Sequence, residues 1–203
     1  MQVSGADRTI TSATGNITLA AVDATGTAYG LTLTTTSGTI NVARVGGTSA
    51  LASLTTSAGG TTNFTGAGVT TTGAQTYNNA ITLAADNAFT TTNSAILFAS
   101  TLNSATSTPR ALTANAGTST ITFTGAVGGA QGLGNISLAS TGTTTISSSV
   151  NAASFTQNSI TGTTAINGGS ITTTGVQAYG NAVTLGSALT TLSTANSNIT
   201  FSN

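Results

Sequence analysis

The chain has 203 residues and no net charge, with three Arg, three Asp and no Lys, Glu, His, Cys or Trp. Three scattered Arg cannot neutralise a run of phosphates, which excludes a nucleic-acid partner. The apolar runs are too short to cross a bilayer as a helix, and no basic amphipathic stretch is present, so no membrane insertion is expected within this segment.

From the start, Met1 opens a polar stretch, MQVSGADRT, without the basic and apolar regions of a signal peptide. Short strand signals then recur. Ile17-Thr18-Leu19, Leu31-Thr32-Leu33, Ile40-Asn41-Val42 and Ile81-Thr82-Leu83 alternate apolar, polar, apolar. TLNSATSTPR, from Thr101 to Arg110, carries the single proline and predicts a protruding turn. The alternation resumes at Ile121-Thr122-Phe123, Ile136-Ser137-Leu138, Val183-Thr184-Leu185 and Ile199-Thr200-Phe201. A period of two places the apolar pair on one face and the polar residue on the other. Thr, about a quarter of the chain, favours strands. No stretch holds a capped helical period, so the chain is expected to be nearly all β. Its regular apolar spacing and lack of charge argue against disorder. The chain stops at ITFSN, directly after a strand signal, and both ends are expected to be cuts from a longer repetitive protein. Residues 1–203 are expected to form one segment of it.

A long word occurs twice. From Thr61 to Leu83 against Thr163 to Leu185, 13 of 23 positions are identical at an offset of 102. Phe64/Ile166, Val69/Ile171 and Ile81/Val183 stay apolar, as inward positions would. Upstream, Val45-Gly46-Gly47 matches Val127-Gly128-Gly129 at an offset of only 82. The second copy has therefore gained about 20 strand-like residues between Ala139 and Thr161. A sandwich would resist such an insertion; a solenoid accepts it as one more coil. The expected fold is all-β: a right-handed parallel β-helix, or β-solenoid, of roughly ten coils of about 20 residues.

The TTTGxQxYxNAxTL unit, with its GGTT and ITF rungs, resembles the repetitive passengers of filamentous-haemagglutinin-like bacterial surface proteins, which belong with two-partner-secreted and autotransporter-type adhesins. The resemblance implies a right-handed parallel β-helix displayed as a rod at the cell surface or secreted, with a non-enzymatic structural or adhesive role.

The chemistry-bearing residues support no catalytic or metal assignment. Asp7, Asp23 and Asp86 are dispersed, and without His, Lys or Glu the set of acid, base and nucleophile cannot be filled, so no enzyme, metal or cofactor is expected. Gly-rich pieces such as Val127 to Gly132 lack the Asp of calcium-binding rolls and read as corners. Tyr77 and Tyr179, equivalent in the repeat, fit repeated core residues better than sugar-stacking rings.

The Thr triplets are the candidate binding residues. Thr70, Thr72, Thr172 and Thr174 are expected to point outward and to form hydroxyl-and-methyl rows. Such rows suit attachment to a host-cell, glycan or abiotic surface through many weak contacts. An ice-binding solenoid is the alternative, although the triplets lie tens of residues apart rather than one coil. A stalk or filament without a ligand, associating end to end through an uncovered coil, is the other.

Overall fold

In a computed structural model, residues 1–57, 59–106, 108–186 and 190–203 are described, and among them there is no helix. Every strand pairing is parallel. The strands form a nine-stranded sheet and a fourteen-stranded sheet. The nine-stranded sheet takes one strand from each turn, so the solenoid has about nine turns, in keeping with the roughly ten expected. Turn length varies: Thr9 pairs with Thr32, Leu97 with Thr122 and Ala165 with Thr184, steps of 23, 25 and 19 residues. The mean is about 22 residues. Nine rungs at about 4.8 Å make a stack about 40 Å long.

The wider sheet folds into two faces, because its long strands turn a corner part-way along. In Thr61–Thr71, residues 61–64 pair with Ala80–Leu83 on the next turn, whereas residues 68–71 pair with Asn87–Thr91. Each turn therefore contributes three stretches. The first face carries 17–19, 39–42, 61–64, Ala80–Leu83 and Leu102–Ser104. It continues through bridges at Val127 and Val150 to Ser170–Thr173 and Thr191–Thr194. The second starts at Gln2–Val3, which pairs with Asp23 and Ala24, and carries the stretch after each corner up to Ile199–Phe201. The third is the nine-stranded sheet, Arg8–Ser12 through Ala182–Leu185.

Period-two alternation sends one set of side chains to the axis. On the third face one inward column runs Ile10, Leu33, Thr56, Tyr77, Phe98, Phe123, Ile146, Ile166, Leu185. Phe98 stacks between Tyr77 and Phe123, with ring centroids at 5.3 and 4.9 Å. The apolar core runs without a break from Val3 to Tyr179. Phe64, Ile166, Val69, Ile171 and Ile81 are buried within it, and Val183, on the last turn, is half-buried against it. One coil cannot offset the entropy of ordering some 20 residues, so stability comes from stacking.

Gly46 and Gly128 show why the VGG words recur. Both have left-handed backbones, with φ of 68° and 69°. Each N–H donates to the turn below, Gly46 to Val22 and Gly128 to Leu102, at 2.7 Å. A Cβ on either would collide with a carbonyl oxygen of the turn above, that of Thr70 or Asn151. Only Gly fits such a corner.

The gained segment also behaves as expected: Thr143–Ile146 and Val150–Gln157 supply all three faces of one extra turn. The interval 101–110 divides differently. Leu102–Ser104 is a core strand of the first face, and the chain leaves the stack only after Ser104, with Thr108 and Pro109 exposed and Ser107 outside the described residues.

Candidate functional site

The repeated word marks a buried polar network, not a surface site. Gln75 Nε2 donates to the carbonyls of Val69 and Thr90 and to the Thr71 hydroxyl, at 3.2, 2.8 and 3.2 Å. Gln75 Oε1 accepts from the Tyr77 hydroxyl at 2.9 Å. Thr71 in turn donates to the Gly73 carbonyl at 2.6 Å. Asn79 Oδ1 accepts from the Thr56 and Thr62 hydroxyls at 2.7 and 3.1 Å. In the second copy Gln177 donates to Ile171, Thr173 and Ser193, Tyr179 donates to Gln177, and Thr164 donates to Asn181. The identical letters thus close a corner and clip one turn to the next, since Thr90 and Ser193 lie on the following rung. Tyr77 and Tyr179 are fully buried, so neither ring can stack on a sugar. Burial also pushes both phenol pKa values above the ordinary tyrosine value.

The two copies occupy different faces. From Gln75 the third face climbs four rungs, through Ile96, Ile121 and Thr144 to Thr164. Gln177 comes two faces later, paired with Phe155 on the second face, before the fifth rung at Val183. The offset of 102 residues is therefore four and two-thirds turns. The three faces are near equivalents, and the word is displaced by one.

That displacement decides the fate of the candidate threonines. Thr70 lies on the second face, half-buried, beside Thr90 on the next turn. Thr172 lies exposed on the first face, between Asn151 and Ser193. Thr72 and Thr174 sit past the strand ends at corners, exposed, their hydroxyls 3.4 Å from the Leu51 and Ala153 carbonyls of the turn below. The four do not form one row. The middle threonines, Thr71 and Thr173, point inward, as do Thr35, Thr56, Thr91, Thr144 and Thr164. One triplet pair is nevertheless a single coil apart, through the Thr70–Thr90 and Thr71–Thr91 pairings.

A continuous outward column exists elsewhere. Along the centre of the third face run Thr9, Thr32, Thr55, Thr76, Leu97, Thr122, Thr145, Ala165 and Thr184. Seven of these nine rungs are Thr, with methyl and hydroxyl groups repeating about every 4.8 Å. Its members share no sequence word: Thr32, Thr122 and Thr184 stand between apolar residues, whereas Thr9 follows Arg8, Thr76 follows Gln75 and Thr145 belongs to a triplet. The first face instead carries a polar ladder: Asn63 Nδ2 donates to Asn41 Oδ1 at 3.2 Å, and Thr82 and Asn103 follow on the next rungs.

The carboxylates are engaged one by one. Asp7 Oδ1 accepts the Gly30 N–H at 2.7 Å, Asp86 Oδ1 the Ala111 N–H at 2.9 Å, and Asp23 Oδ1 the Thr48 and Ser49 N–H groups at 2.7 and 3.2 Å. Asn16, Asn93 and Asn103 do the same for Thr39, Thr118 and Ala130. Every acceptor serves a backbone group about one turn further along. The Thr48 and Ser49 bonds, helped by Arg44 at 3.9 Å, hold the Asp23 carboxyl below its ordinary pKa. Among the described residues no three Asp form a group that could hold a metal ion.

The chain matches no protein-family model, and no curated protein or solved structure matches it.

Proposed function

We propose that this chain is a non-enzymatic, surface-displayed or secreted segment of a bacterial adhesin or filament. It would serve as a rod that makes many weak contacts with a host-cell, glycan or abiotic surface. The observation that carries this reading is the use of the ionisable and buried polar groups: all three carboxylates and both copies of the Gln–Tyr–Asn network hold one turn to another. The exposed faces are left with repeated neutral hydroxyl and amide groups, suited to weak contacts that gain strength by repetition. Displaying the chain at high density on beads and measuring retention on epithelial cells, a glycan array and bare glass tests it. Retention above that of a charge-neutral globular control is expected. No retention on any of these surfaces removes adhesion and leaves a spacer.

A second reading, ice binding, is favoured by one observation, the third-face Thr column. Its in-register hydroxyls and methyls present a neutral array, although Leu97 and Ala165 interrupt it. Thermal hysteresis and incorporation into a growing ice hemisphere test it, with the double variant Thr55→Lys/Thr76→Lys as the control. Absence of both activities in the parent chain ends this reading without touching the first.

A further inference from the structure

The Val45-Gly46-Gly47 corner has a twin at Val127-Gly128-Gly129, and the two differ in charge. Asp23 Oδ1 accepts the Thr48 and Ser49 N–H groups, and Asn103 Oδ1 accepts those of Ala130 and Gln131. Ala24 donates to the Ser49 carbonyl, and Ser104 to that of Gln131. Arg44 stands where the twin has Ala126. A neutral corner with Asn and Ala closes in the same way, so the fold does not require the Arg44 guanidinium.

That guanidinium is held in place, yet among the described residues it makes no hydrogen bond. The Arg44 side chain lies over Gly47, where any Cβ would collide with it. Asp23 Oδ2 stands 3.9 Å away, beyond hydrogen-bonding distance. Arg44 borders a groove of about 190 Å³ on the second face and is the one charged side chain that lines it. Irregular pairing makes the groove. Val42 pairs with Phe64 and Arg44 with Gly68, so Ala43 alone faces Thr65, Gly66 and Ala67 on the next turn, and Ala67 is exposed. Gly68 and Ala88, the next two positions in the column of Arg44, form a low floor. Gly68 has no room for a side chain, because a Cβ there would strike the Ala88 carbonyl. Thr70 and Thr90, half-buried on adjacent rungs, complete the lining.

We infer that this groove binds one acidic sugar residue, with the Arg44 guanidinium anchoring the sugar carboxylate. A guanidinium can present two parallel N–H groups to a carboxylate, and such a charge-assisted pair is stronger than a contact between neutral groups. The Ala67 and Ala88 methyls suit the C–H face of a ring. The Thr70 and Thr90 hydroxyls, on rungs about 4.8 Å apart, suit two hydroxyls of the same ring. The groove is smaller than the pockets of about 300 Å³ and more that enclose drug-sized ligands, so it takes a single ring. The site gives the proposed glycan contact a substrate class and rests on that reading for its purpose.

Titration of the isotope-labelled 203-residue chain with methyl glucuronoside, followed by amide NMR, tests this. Methyl glucoside, acetate and an aspartate-containing tripeptide serve as comparison ligands. The expected result is saturable binding of the glucuronoside, with shifts confined to residues 44–47, 67–70 and 88–90. Each comparison ligand is expected to bind about tenfold more weakly or worse. Arg44→Ala, which reproduces the residue of the twin corner, is expected to lose binding while keeping its β circular dichroism spectrum. Thr70→Val/Thr90→Val is expected to bring glucuronoside binding down to that of acetate. No glucuronoside binding overturns the inference, as does binding that survives Arg44→Ala. Acetate or the tripeptide binding as tightly as the glucuronoside makes the groove a general anion site and overturns the sugar assignment. Bead retention on cells and glass reads the adhesive role separately, so retention without glucuronoside binding removes this site and leaves that role standing.

Discussion

Gln75 and Gln177 make the same four hydrogen bonds, to two carbonyls, a Thr hydroxyl and a Tyr hydroxyl, although they stand on different faces of the solenoid. The environment each requires is therefore a property of the local corner and the rung above it. Removing the amide strands a buried hydroxyl and two carbonyls. Gln75→Leu is expected to cost about 2–4 kcal/mol, and Tyr77→Phe, which leaves only Gln75 Oε1 unpaired, about 1–2 kcal/mol. Urea denaturation of the two variants checks the order; equal stabilities would contradict it.

Asp23 ties its turn to the next through Thr48 and Ser49, and its folded-state pKa is lowered. A group of that kind adds stability above its unfolded pKa and loses the contribution as pH falls through its folded pKa. The parent chain is thus expected to be more stable than Asp23→Asn at neutral pH, with the gap closing on acidification below the ordinary carboxylate range. Thermal melts of both proteins over that pH interval measure it, and a gap independent of pH would rule out the carboxylate as its source.

Two glycines with almost the same φ separate backbone strain from crowding. Gly26, at φ 71°, has nothing within 4 Å of where a methyl group would stand, whereas Gly46, at φ 68°, faces the Thr70 carbonyl. Gly26→Ala is expected to cost about 1–2 kcal/mol, the left-handed strain alone. Gly46→Ala should cost more, because the Thr70 rung must shift as well. Comparable losses in chemical denaturation would show that the close approach carries no weight.

Whole turns are units. Thr143 pairs with Thr163, so excising residues 144–163 joins equivalent positions and removes one turn of 20 residues. The shortened chain is expected to fold, with the stability of a stack one rung shorter. Excising 144–153 instead moves each later inward side chain to another face and is expected to abolish cooperative unfolding. Circular dichroism and urea melts of the two deletions distinguish the cases.

Much of the fold was legible in the residue order. The Ile-Thr-Leu and Ile-Thr-Phe triplets named strands correctly, since a period of two needs only neighbouring residues to be interpreted. The extra turn between Ala139 and Thr161 followed from two unequal offsets. The candidate site was less legible. Thr70 and Thr172 match letter for letter, yet one flanks Thr90 and the other Asn151. The long Thr column is hidden in the residue order because its members are spread over steps of 19 to 25 residues, as between Ala165 and Thr184 or Leu97 and Thr122.

By itself the sequence determined that the chain is all strands, that apolar alternates turn inward, and that whole coils stack, because alternation, Gly corners and repeated words act over a few residues or through close recurrence. Only the tertiary structure decided which face each rung occupies, and hence that Gln75 and Gln177 are internal clips and that Thr9, Thr32, Thr55 and Thr76 line up. Face assignment is the accumulated sum of all preceding corner lengths, and a sum of small local variations cannot be judged from any one of its terms.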